Sequence, residues 1–149
     1  MFKKILFADD LSKRALKGLQ VALDLCRKYS AELNILNVRE NFLNKDEMVM
    51  LRVDVSDFQD DMKAKALSVR HKIQSDIESL GGQGVKSQII LREGKPHQVI
   101  IDVAAELGAD LIVIGTLGVT TLKDKLFGST IEGVACHAGR SVMVVWTGE

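Results

Sequence analysis

The sequence has no surplus of either charge, no apolar run long enough to cross a bilayer and no cysteines at metal-ligand spacing. Lysines and arginines number 20 and so do aspartates and glutamates, so bulk electrostatics supply no attraction for nucleic acid. No apolar stretch approaches the roughly 18 residues a membrane span needs. The start "MFKKILFADD" carries charge with no signal-peptide apolar core behind it, so a cytoplasmic protein without a membrane partner is expected. Cys26 and Cys136 each fall at an apolar position of a helix-like stretch and read as reduced core thiols. Catalytic groupings are missing too. Of three histidines, His71 lies on the polar side of a long helix pattern, His97 follows Pro96 in a turn and His137 closes the last helix, so all three read as surface or helix-end residues. Neither G-x-x-x-x-G-K-[ST] nor G-x-G-x-x-G occurs, which excludes a Walker loop and the usual dinucleotide fingerprint.

What is present is a regular alternation. "KKILFA", Lys3 to Ala8, is a short apolar run ending at Asp9, Asp10 and Ser12, the pattern of a buried strand running into a helix start. Ala15, Leu19, Ala22 and Cys26 then recur at helical spacing, and "AELNILNV", Ala31 to Val38, closes a βαβ unit. Arg39 to Ser56, which includes Met48 and Met50, keeps no steady period and reads as a long connection. Phe58, Met62, Ala66, Val69, Ile73, Ile77 and Leu80 step by threes and fours along one helix, closed by Gly81 and Gly82. "VKSQIILR" is a strand, and "EGKP" turns into a helix bearing Val99, Ile100, Val103, Ala104 and Leu107. "ADLIVIG" is apolar on both faces, as a central parallel strand must be. A short helix with Ile131, Val134, Ala135 and Ala138 and the strand "SVMVVW" end the chain. The reading is one α/β domain over residues 1–149, an open, mostly parallel sheet with helices on both faces.

One connection is oversized. "GTLGVTTLKDKLFGST", Gly115 to Thr130, holds three glycines where a strand-to-helix turn needs a few residues in all. In such sheets ligands bind beyond the carboxyl ends of the strands, where the chain order reverses. Gly115 and Gly118 would let backbone approach a ligand, and Gly128 would set Ser129 and Thr130 at a helix start whose free amides favour phosphate. Ser129 and Glu132 also have the S-x-x-E spacing of a capping box, and the two roles can coexist.

These residues resemble a known family. Gly115, Gly118, Gly128 and Ser129 fit the G-x2-G-x9-G-[ST] pattern of ATP-binding universal stress proteins, with "ILFADDLS", "GKPHQVIIDVAAELGADLIVIG" and the final strand in the family's order. The resemblance implies a Rossmann-like fold of five strands, akin to the adenine nucleotide alpha hydrolases. It implies that Asp10 meets the ribose and adenine end of a nucleotide, with Ala8 and Asp9 in the same turn and Val38 in the adenine pocket. It further implies that Ile114, Gly115 and Gly118 follow the ribose and phosphates, that Gly128, Ser129 and Thr130 take the phosphates, and that magnesium accompanies ATP.

The chain departs from that family at Ala8, Leu117 and Val119, where many members carry proline, histidine and a basic residue. A missing charge-assisted bond corresponds to about 1–3 kcal/mol of triphosphate binding, which leaves AMP or ADP as alternatives to ATP; Lys123 and Lys125 are nearby cations. A nucleotide-binding regulatory module in the stress response, acting on a protein partner, is the expectation. The alternatives are a slow ATPase or phosphotransferase using Asp10 and Ser129, and a dimeric scaffold that has lost its ligand. Val142, Val144 and Trp146 share one face of the last strand, an apolar edge expected to pair in a homodimer, as the resemblance also implies.

Overall fold

The computed structural model describes residues 1–40, 55–116 and 128–147, with backbone alone at 55–58, 116 and 128. Among these the order is β1 (Lys4–Ala8), α1 (Ala15–Tyr29), β2 (Glu32–Arg39), α2 (Val55–Ser79), β3 (Ser87–Glu93), α3 (Pro96–Leu107), β4 (Leu111–Thr116), α4 (Gly128–His137) and β5 (Ser141–Trp146). The five strands form one sheet in the order β3-β2-β1-β4-β5, and every pairing is parallel. β1 therefore lies between β2 and β4, and the order reverses there.

Strand alternation divides the core into two layers. Ile5 and Phe7 of β1 point to one face with Leu33, Ile35 and Val113, and are covered by Leu19, Leu23 and Cys26 of α1 and Ile73 and Ile77 of α2. Leu6, Leu36, Ile112 and Ile114 point to the other, under Ile100, Val103 and Ala104 of α3 and Ile131, Val134 and Ala138 of α4. Phe7, Leu6 and Ile112 are fully buried, each stabilising the fold by roughly 1.5–3 kcal/mol relative to exposure.

The apolar stripe of α2 is not buried evenly. Ile73 and Ile77 are buried, whereas Met62, Ala66 and Val69 are only half-buried. A helix of 25 residues is about 37 Å long, while the strands beneath it, at most 8 residues, run to about 27 Å. The amino-terminal half of α2 therefore extends beyond the carboxyl edge of the sheet.

Two expectations need correction. Cys26 is buried, with its thiol pushed up to about 11 by burial, but Cys136 is exposed on α4. Ala135 is exposed as well, because only Ile131, Val134 and Ala138 meet the sheet. The connection expected over residues 39–56, with Met48 and Met50, lies for residues 41–54 outside the described residues. Among the described residues no helix is long and apolar enough to cross a membrane.

Candidate functional site

β1 ends against its two neighbours, with Ala8 in register with Leu36 of β2 and Ile114 of β4. The backbone N–H of Asp9 still reaches Leu36 O at 2.8 Å, so the strand continues as a single bond before it turns. The turn is built from aspartates. Asp9 Oδ1 accepts the Leu11 N–H at 2.8 Å, and Asp10 Oδ1 accepts the Ser12 N–H at 2.9 Å and its hydroxyl at 2.6 Å. Ser12 Oγ in turn accepts the Ala15 N–H at 3.2 Å and starts α1. Leu11 is held at φ 67°, a left-handed conformation that costs a non-glycine residue roughly 1–2 kcal/mol. The Asp9 bond to its amide offsets that strain.

The two aspartates differ in burial. Ala8, Val38 and Ile114 all border the core layer under α3 and α4, and Asp10, two residues past Ala8, is exposed. The Asp9 side chain is 5% exposed and lies on the face of α2. Burial pushes its carboxyl above the ordinary value of 3.8; the Leu11 N–H and the Lys72 ammonium act against that, and Asp10 and Asp76 reinforce it. Asn37 Nδ2 donates to the Asp9 carbonyl at 2.9 Å and pins the turn to β2. The Asp9 backbone is thus tied to β2 on both sides of the residue, while its carboxylate is buried.

α4 begins at Gly128, so Ser129 and Thr130 occupy its first turn, where backbone amides lack helical acceptors. Ser129 thus stands in the first turn, three residues ahead of Glu132. The glycine at 115 has a local explanation, since a Cβ there would stand 3.0 Å from Thr147 Cγ2. Gly118 and the departures at Leu117 and Val119, like Lys123 and Lys125, lie outside the described residues.

His71 and His137 are exposed, as expected, but His97 is not a turn residue. It is the second residue of α3, half-buried, with its Cβ and ring 3.0–3.1 Å from where a Cβ on Gly133 would stand. Gly133 thereby lets α4 approach α3 beside the crevice. The pair His97 and Gly133, 36 positions apart in the sequence, has no local signal that could have disclosed it.

Among the described residues no three His, Cys, Asp or Glu side chains cluster as a metal cage. The described residues at this end of the sheet include an exposed carboxylate, Asp10, small or branched apolar side chains and the amino end of a helix. That set suits a ligand with a hydroxylated or flat apolar part and an anionic end.

An open parallel sheet whose strand order reverses at β1 defines a doubly wound α/β protein. Residues 1–145 match the family model described as the universal stress protein family. The chain is 31% identical to the universal stress protein YxiE of Bacillus subtilis, over 97% of this chain and 99% of the other. It is 30% identical to the universal stress protein MJ0577 of Methanocaldococcus jannaschii, over 97% and 95%. The solved structure of MJ0577 superposes with a TM-score of 0.73 at 29% identity, covering 97% of this chain and 96% of that one. A universal stress protein in complex with cAMP (TM-score 0.73, 19% identity, 98% of each chain) shares the fold. So does one from Archaeoglobus fulgidus in complex with dAMP (TM-score 0.64, 17% identity, 97% of each chain). The chain belongs to the universal stress protein family.

Proposed function

We propose that this universal stress protein is a regulatory module that binds an adenine nucleotide, ATP first with AMP or ADP as alternatives, in the crevice between β1 and β4. The observation that carries the reading is the convergence of Ala8, Val38 and Ile114 on one sheet face, at the end of β1 that carries the exposed Asp10. α4 follows β4 on that same face and opens with Gly128, Ser129 and Thr130. Asp10 accepts from the ribose, Ala8, Val38 and Ile114 contact the base and sugar, and the first-turn amides of α4 receive phosphate. Gly115 and Gly118 complete the set, and Asp9 contributes backbone. That two family members are solved with cAMP and dAMP supports the ligand class. Asp10 already accepts two bonds from Ser12, so a magnesium ion here would be held mainly by the phosphates.

The test is to denature freshly purified protein and identify released nucleotide by mass spectrometry, beside Gly128→Val and Ser129→Val. ATP or AMP from the wild type and none from the variants is expected. An empty wild type that also fails to bind millimolar ATP sinks the reading and favours the ligand-free scaffold.

The same reading places the protein in the cytoplasm as a single domain that pairs through β5. β5 is an edge strand, and Trp146 on it is 52% exposed. Val142 and Val144 are half-buried against the α3 and α4 layer. Val144→Lys is expected to shift sedimentation from dimer to monomer; an unchanged dimer places the interface elsewhere.

A further inference from the structure

Where the amino-terminal half of α2 overhangs β2 and β3, an open cleft of about 480 Å³ remains on the sheet face opposite Ala8, Val38 and Ile114. Its walls are the half-buried Met62, Ala66 and Val69 of α2 and Leu91 of β3. Arg39 at the end of β2, also half-buried, lines it as well, and its Nη1 donates to the Met62 sulfur at 3.0 Å. A thioether is a weak acceptor for a guanidinium, and among the described residues no carboxylate lies within ion-pair distance of Arg39. Lys63 and Arg92 at the rim are exposed and keep their charge in water.

We propose that this cleft is a binding site for a medium-chain alkyl carboxylate, its head on Arg39 and its tail along Met62, Ala66, Val69 and Leu91. Among the described residues three cations, Arg39, Lys63 and Arg92, line the cleft against one carboxylate, the exposed Glu93, so the net charge suits an anionic head. The half-buried Arg39 offers a guanidinium fork that takes a carboxylate through two bonds. The volume lies in the range of small-molecule sites. An acid of about ten carbons, at roughly 30 Å³ per heavy atom, fills about 360 Å³ of it. The tail lies along side chains that are only half-buried among the described residues. The site stands on the other sheet face and does not depend on the nucleotide reading.

The experiment is calorimetric titration of the full chain with decanoate below its micellar range, beside acetate and decan-1-ol. Saturable binding of one decanoate per chain is expected, with both comparison ligands about tenfold weaker or more. Arg39→Gln should weaken decanoate about tenfold and leave decanol unchanged, while Ala66→Trp, on the half-exposed face of a helix, should block both. Absence of saturable decanoate binding overturns the proposal, as does decanoate that binds no better than decanol. Should Arg39→Gln fail to fold, Ala66→Trp decides alone, and undiminished decanoate binding to it rejects the site.

Discussion

The two ends of the sheet are held in opposite ways. At the amino ends of the strands, long-range bonds knit separate elements together. Glu32 N–H donates to Lys3 O, Asp110 N–H to Lys4 O and Leu33 N–H to Lys86 O. The Asp110 carboxylate accepts the Lys3 N–H at 2.8 Å, and Arg27 donates to Leu80 O and Gly81 O beyond α2. At the carboxyl ends, the side-chain bonds of Asp9, Asp10 and Ser12 reach only two or three residues along the chain, and the long-range ties among the described residues are fewer: Asp9 N–H to Leu36 O, Gly94 N–H to Arg39 O and Asn37 Nδ2 to Asp9 O. An end stitched by distant partners resists deformation, whereas an end built of local turns leaves polar groups and helix amides to face a ligand. Stability and recognition are thus lodged at opposite edges of one sheet.

The largest effect should come from the stitched end. Arg140 is half-buried and donates from Nε to Ala138 O at 3.2 Å and from Nη1 to Ala104 O at 2.9 Å and Ala109 O at 2.5 Å. One side chain ties the ends of α3 and α4 to the start of β4. Arg140→Ala leaves these carbonyls without that partner and should cost about 3 kcal/mol, seen as a fall in Tm of about 10 °C. Nucleotide affinity of the folded fraction should not change. A loss of affinity as large as the loss of stability would break the division between the ends.

Asp10→Ala probes the other end and should reverse the pattern. Its bonds to Ser12 are exposed, so stability should fall by no more than about 1 kcal/mol, while nucleotide Kd measured by calorimetry rises about tenfold, worth about 1.4 kcal/mol. A melting shift as large as that of Arg140→Ala would show that the aspartate turn is framework after all.

The same division decides what could be read from sequence. Strands such as "LIVIG", uniformly apolar because both faces are covered, and the stepped stripe of α2 announce themselves by period. The glycine spacing with Ser129 and Thr130 pointed to the helix start that α4 makes. Period could not disclose how deep each position sits. Met62 and Ile73 belong to one stripe, yet only Ile73 reaches the sheet, because burial depends on the length of α2 against the strands beneath it. Nor could it show that of Asp9 and Asp10, adjacent in sequence, one is buried and one exposed, that Leu11 takes a left-handed conformation, or that His97 nests on Gly133. These are consequences of tertiary placement with no local pattern.

The smallest effect separates the two aspartates by pH. Asp9 is buried on the α2 face, with Lys72, Asp10 and Asp76 as the charges acting on it, and its carboxyl in the folded chain lies above the ordinary 3.8. Below that ordinary value both states are protonated and nothing is lost. As pH rises from 3.8 through the raised value, the unfolded chain ionises first, so the folded state loses stability across that window and stays at the lower level above it. Asparagine carries no such proton and keeps an oxygen for the Leu11 N–H. Asp9→Asn should therefore melt higher than wild type at pH 7, converge with it as the pH falls towards 3.8, and leave nucleotide affinity unchanged because the side chain is buried. A melting difference that is the same at both pH values would mean that the carboxylate is not the source of the effect. A loss of nucleotide binding would place the Asp9 carboxylate in the crevice with Asp10 and erase the distinction between the buried and the exposed aspartate.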